Sequence, residues 1–204
     1  MTRAPRSRVR LRAWGRWALP LLLLVATSCL AWGETVIFAE LEGTVIEIRL
    51  LRQQRITREG REFSHQFQSD RKIEIGPGDR ILSWFTPTAH TPKGTRTGKT
   101  SYGFFMLEQP RNVTTSGSGY GVWLFADSKL TFLRTFHGGG LKMVVTFARG
   151  PGGLTCSADE TFAREEGVPG IVLESAIDGV PATVLSAKQI SGNCRFAKQP
   201  IGAQ

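Results

Sequence analysis

The stretch YGVWLFADSKLTFLRTFHGGGLKMVVTFAR, residues 120–149, decides the fold class. It reads as three consecutive antiparallel strands. Val122-Trp123-Leu124-Phe125-Ala126 is a nearly continuous apolar run, the composition of a strand covered on both faces. Asp127-Ser128 then forms a tight hairpin connection, although it lacks the glycine that usually marks one. The second strand alternates, with Leu130, Phe132 and Phe136 on one face and Thr131, Leu133 and Thr135 on the other. Only Arg134 breaks the apolar side. Gly138-Gly139-Gly140 makes the next turn, and the third strand sets Leu141, Met143, Val145 and Phe147 against Lys142, Val144, Thr146 and Ala148. The expectation is an all-β domain, an antiparallel β-sandwich or barrel built around this 120–149 meander.

Working outward toward the N-terminus, Gly43 to Leu50 is dense in β-branched residues, with Ile46, Ile48 and Leu50 sharing a face: strand chemistry rather than helix chemistry. Arg49, Arg52, Arg55, Arg58 and Arg61 recur every third position. On a helix they form one cationic stripe; on a strand, steps of three alternate faces and the stripe dissolves into a solvated hairpin tip around Arg58-Glu59-Gly60. A return strand over 61–75 carries Phe63, His65 and Phe67 on one face, then Ile73 and Ile75 after a polar break. His65, alone between aromatics, fits a core or boundary residue better than a ligand. Gly76-Pro77-Gly78-Asp79 is a turn by composition and Arg80 to Phe85 the next strand. Residues 86–101 lose apolar content and gather prolines, glycines and threonines, which predicts the longest loop of the domain and a binding surface beside Trp84 and Tyr102.

Toward the C-terminus, Gly150-Pro151-Gly152-Gly153 is a loop, and Leu154 to Phe162 a strand carrying Cys156. Asp159, Glu160, Glu165 and Glu166 lack calcium-loop spacing and read as a solvated acidic turn. Ile171 to Glu174 and Val184 to Ile190 read as strands, with a short helix after Pro181 as the alternative.

The first 33 residues belong to a different regime. Six arginines (Arg3, Arg6, Arg8, Arg10, Arg12, Arg16) with no acid precede a short apolar run, Trp17 to Ala26, that ends in small residues. This is the pattern of an export signal, and the apolar stretch falls short of the ~20 residues a spanning helix needs. Ala31-Trp32-Gly33 places small residues three and one before a cut, leaving 34–204 as a single all-β domain. A competing site, Val25-Ala26-Thr27-Ser28-Cys29, resembles a permissive bacterial lipoprotein signal, in which Cys29 becomes lipid-bearing; Ala26 stands where that pattern usually has leucine. Of 26 basic residues six lie in the signal, so the domain carries 20 against 17 acids and the chain's +9 falls to +3. A nucleic-acid partner loses its main support.

Cys156 and Cys194 are then an even pair in an oxidising compartment and are expected to form a disulfide. Closing a loop of about 39 residues contributes on the order of 4 kcal/mol in the chain-entropy picture.

Chemistry is harder to find. Gly98-Lys99-Thr100 resembles the end of a phosphate-binding loop, but Gly94 and Gly98 enclose three residues where that motif requires four. The histidines, His65, His90 and His137, are far apart and at no metal or triad spacing. No cofactor is implied. The sequence therefore predicts an exported, periplasmic or secreted β-domain of bacterial type that binds a small ligand or an envelope component, with membrane contact only through the signal or a lipid on Cys29. Trp84, Tyr102, Arg134 and His137 are the ligand-binding candidates. The alternatives are a hydrolase whose site forms only in three dimensions, and a lipid-anchored envelope or host-interaction protein. An apolar cavity inside a closed barrel would mark a carrier, polar residues converging in one concave pocket an enzyme, and a filled core with a flat exposed patch a structural or interaction protein.

Overall fold

The computed structural model describes residues 35–112, 120–174 and 177–199, so the expected export segment with Cys29 lies outside the described residues. Within them the chain is nearly all β, with one short 3-10 turn at Phe38–Leu41 and no α-helix. The first five strands are β1 (Val45–Arg58), β2 (Arg61–Ile75), β3 (Arg80–Thr91), β4 (Gly94–Thr97) and β5 (Ser101–Met106). A second group follows: β6 (Arg111–Asn112), β7 (Tyr120–Ala126), β8 (Lys129–Phe136), β9 (Gly139–Gly150) and β10 (Gly153–Arg164). The chain then returns with β11 (Ile171–Glu174) and β12 (Pro181–Lys198).

Strand pairing is antiparallel throughout and yields two sheets. The larger runs β11-β12-β1-β2-β3-β4, with β5 also on β3; the smaller runs β10-β9-β8-β7-β6. Residues from both sheets form one core, including Ile46, Ile73 and Ile81 from the larger and Trp123, Leu130 and Met143 from the smaller, all fully buried. Each such side chain contributes roughly 1.5–3 kcal/mol by leaving water.

The 120–149 meander is present as β7, β8 and β9, and its turns have identifiable causes. Asp127 (φ 51°) and Ser128 (φ 58°) both occupy the left-handed region that a two-residue hairpin needs, without glycine. Ser128 contributes something glycine would not: its Oγ accepts a hydrogen bond from the Val36 amide at 2.9 Å, tying down the start of the domain. At the other turn, a Cβ on Gly138 would sit 2.5 Å from the Gly170 carbonyl oxygen, so glycine there permits close approach to the segment leading into β11.

Two expectations are corrected. The run 122–126 is covered on one face only, for Trp123 is buried while Leu124 is 36 % exposed. Residues 86–101 are not a loop but the end of β3 and a hairpin to β4. The threonines are β-branched and pair across the hairpin, Thr86 with Thr100 at 2.8 Å and Thr88 with Thr97 at 3.1 Å, which holds polar strands together. Pro87 is tolerated because β5 pairs with 80–85 and β4 with 88–91, leaving Pro87 at the gap between them. Its carbonyl accepts from Gly98 on that side at 2.9 Å, so its missing donor also points into the gap. The strand read over Val184 to Ile190 is present and longer, 181–198 running the length of β1, so the alternative of a helix after Pro181 falls away.

The expected disulfide is formed. Cys156 on β10 and Cys194 on β12 are bonded, with Cα atoms 5.5 Å apart, joining the two sheets along an edge.

Candidate functional site

Along the inward face of β1 the residues run Ile46, Ile48, Leu50, Arg52, Gln54, Ile56, Arg58. Parity is unbroken but chemistry changes at Arg52. The same change occurs on β2, where Ile75 and Ile73 give way to Arg71 and Phe67, and on β10, where Ala158 is followed by Glu160 and Phe162. One half of the space between the sheets is therefore packed with aliphatic and aromatic side chains. The other half is a cavity of about 820 Å³.

The cavity wall is aromatic, with Phe67, Phe85, Phe105, Phe132, Phe136 and Phe162 among its residues. Its inner end is charged. Arg52 and Glu160 form an ion pair with side chains only 6 % and 1 % exposed, and Arg71 Nη2 donates to the second Glu160 oxygen at 3.2 Å. The Arg52 guanidinium lies between the rings of Phe67 and Phe162, 4.7 Å from each centroid. Arg71 stacks on Phe85 at 4.6 Å, and Arg134 on Phe136 at 4.6 Å. Stacking of this kind suits guanidinium, which is more weakly hydrated than ammonium and planar.

Glu160 is held by more than its parity. Between Leu51 and Arg52 the β1–β12 register slips by one residue, a bulge that leaves Ile190 without a partner. The next residue, Gln189, reaches across to β10, its Oε1 accepting the Glu160 amide at 2.8 Å.

Burial tells on the cations. Arg52 is pushed down to about 9 by loss of solvent and then by Arg71; Arg71 to about 10 by loss of solvent and then by Arg134; Arg134 to about 10 by loss of solvent. All three keep their protons at neutral pH. Two fully buried guanidiniums thus share one carboxylate, and Nε of both Arg52 and Arg71 has no hydrogen-bond partner among the described residues.

Of the residues singled out from the sequence, Arg134 lines this cavity. Trp84 and Tyr102 are brought together, as Cα partners on β3 and β5 with rings 6.0 Å apart, but on the outer face of the larger sheet, where Lys72 stacks on Trp84 at 5.0 Å. Tyr102 also borders the cavity. His137 is exposed past the end of β8, its backbone bridging Val172. The 86–101 segment contributes Ala89, Thr91, Lys93 and Arg96 to the cavity lining.

Arg52, Arg71 and Glu160 escaped the sequence reading. The every-third arginines do split by face, Arg49 and Arg55 pointing outward to Asp70 (2.7 Å) and Glu62 (3.1 Å). Arg52 and Arg58 point in, so only part of the stripe is solvated. Glu160 is not in an acidic turn but in the middle of β10. The available signal was parity: each of the three sits in step with buried neighbours, where a charge has to find a partner.

Among the described residues, no group of three or more His, Cys, Asp or Glu is placed to hold a metal. No helix among them is long and apolar enough to cross a membrane. Comparison with known proteins finds no matching family model, no matching curated protein and no matching solved structure.

Proposed function

We propose that residues 34–204 are an exported β-sandwich whose role is to hold a small, largely apolar ligand between its sheets. The observation that carries this reading is the cavity itself: about 820 Å³ of unfilled, phenylalanine-walled space where the other half of the same interior is fully packed. That volume lies in the range that buries most of a drug-sized molecule, and leaving it empty forfeits the packing energy that closely filled cores provide. Export is supported by the Cys156–Cys194 bond, which belongs to oxidising compartments, together with the arginine-rich, apolar N-terminal pattern.

Two measurements test the reading. Native mass spectrometry of protein purified from its own cells is expected to show a bound small molecule, lost on unfolding; intact mass then also separates a chain starting at Glu34 from one lipidated at Cys29. Calorimetric titration with 1-decanol, a neutral apolar probe, is expected to show binding that Ala89→Trp, which fills the cavity, abolishes. No co-purified molecule together with no probe binding would sink the proposal.

A further inference from the structure

We infer that the cavity takes an amphipathic acid, an apolar body bearing a carboxylate, and takes it acid first, with the carboxylate seated against Arg52 and Arg71 at the inner end. This rests on the ligand-binding reading above and specifies its chemistry.

The distribution of charge argues for it. Eight cationic side chains line the cavity, Arg52, Arg58, Arg61, Arg71, Lys93, Arg96, Arg111 and Arg134, against three acids, Glu59, Glu62 and Asp178. Two of the three acids meet cations of their own. Asp178 receives Arg58 Nη1 at 2.8 Å and has Arg96 at 3.8 Å, while Glu62 pairs with Arg55. Those pairs are partly or largely solvated, and exposed charge there needs no further partner. At the inner end the balance differs. Arg52 and Arg71 have side chains only 6 % and 10 % exposed and have Glu160 alone between them, which leaves one positive charge uncompensated by that carboxylate. Glu160 itself is behind the arginines and does not line the cavity, so the guanidiniums are what an entering ligand meets.

Hydrogen bonding points the same way. Glu160 does not saturate the two guanidiniums, since Arg52 Nε and Arg71 Nε are both buried with no acceptor among the described residues, a costly condition that favours further negative charge beside them. A carboxylate brings two oxygens and the missing negative charge together, and guanidinium matches its planar geometry. The rest of the wall is aromatic and aliphatic, so the remainder of the ligand has to be apolar. A free inorganic anion would satisfy the arginines but leave the phenylalanines facing nothing. A neutral lipid would fill the wall but leave the charge.

The experiment compares three ten-carbon probes, decanoate, 1-decanol and decylammonium, by calorimetric titration of the disulfide-intact domain at neutral pH. The expected order is decanoate tightest by at least tenfold, then decanol, with decylammonium weakest. Arg71→Met leaves the Arg52–Glu160 pair in place and is expected to remove the advantage of decanoate over decanol. Equal affinity of acid and alcohol for the unaltered domain would overturn the acid-first inference and leave the cavity reading standing. Binding of none of the three, with no co-purified molecule, would remove both. Since the three-probe order is read on the unaltered protein, the inference is tested even if Arg71→Met fails to fold.

Discussion

Arg52 and Glu160 form an ion pair almost wholly removed from water, on strands that belong to different sheets. Such a pair gains little over well-packed apolar residues, but breaking it from one side is costly because the survivor stays buried and charged. Glu160→Gln, which strands both Arg52 and Arg71, is expected to lower stability by about 3–5 kcal/mol in urea denaturation. Replacing all three at once, Arg52→Met, Arg71→Met and Glu160→Leu, is expected to restore most of that loss while removing decanoate selectivity. A mild effect of Glu160→Gln, under about 1 kcal/mol, would mean that the carboxylate is not what makes the arginines tolerable.

The Cys156–Cys194 bond links β10 to β12, which lie in different sheets. Its contribution comes mainly from restricting the unfolded chain, and both cysteines also pack against the core. Reduction, or Cys156→Ser with Cys194→Ser, is expected to lower stability by about 2–4 kcal/mol with the fold retained in dilute buffer. Alkylation before and after reduction checks the bond itself: two added groups are expected only in the reduced sample.

Ser128 combines a left-handed turn conformation with a hydrogen bond to the Val36 amide at 2.9 Å. Glycine would relax the turn but remove the acceptor, and Val36 is otherwise 1 % exposed. In Ser128→Gly the Val36 amide is therefore expected to exchange with deuterium markedly faster, with the β7–β8 hairpin amides unaffected. Unchanged protection at Val36 would show that packing alone holds the segment.

Strand parity made most of this fold legible before any coordinates. The hairpin at Glu59-Gly60 and the 120–149 meander follow from alternation and turn chemistry, as does the turn at 76–79, and the disulfide follows from Cys156 and Cys194 being the two cysteines outside the N-terminal segment. What parity did not disclose was the state of the interior. Arg52, Arg71 and Glu160 are separated by up to 108 positions in sequence, and nothing local announces that β1, β2 and β10 bring them to one point. Each looked like surface because charged residues usually are. The 86–101 hairpin was missed for the opposite reason: threonine and proline lower apolar content, yet threonine favours strands and Pro87 falls in a gap of the ladder. Parity taken strictly, without discarding charged residues on the inward face, would have flagged Arg52 behind Leu50 and Glu160 beside Phe162.

His65 gives the site a pH dependence of defined sign. It is half-buried in the cavity wall, tilted against Phe67 with ring centroids 6.4 Å apart, and its pKa is held below the usual 6.5 first by burial and then by the Arg52 charge. The folded domain thus prefers the neutral imidazole, and the unfolded chain takes up a proton at higher pH than the folded one does. Its contribution to stability is complete above the unfolded value of 6.5 and is lost as pH falls from there through the folded pKa. Urea midpoints are expected to decline as pH falls below about 6.5, beginning above the range where carboxylates titrate. His65→Gln is expected to flatten that decline without changing stability at pH 8. If the decline persists in His65→Gln, the acid sensitivity belongs to another group, and the proximity of His65 to Arg52 has no thermodynamic consequence.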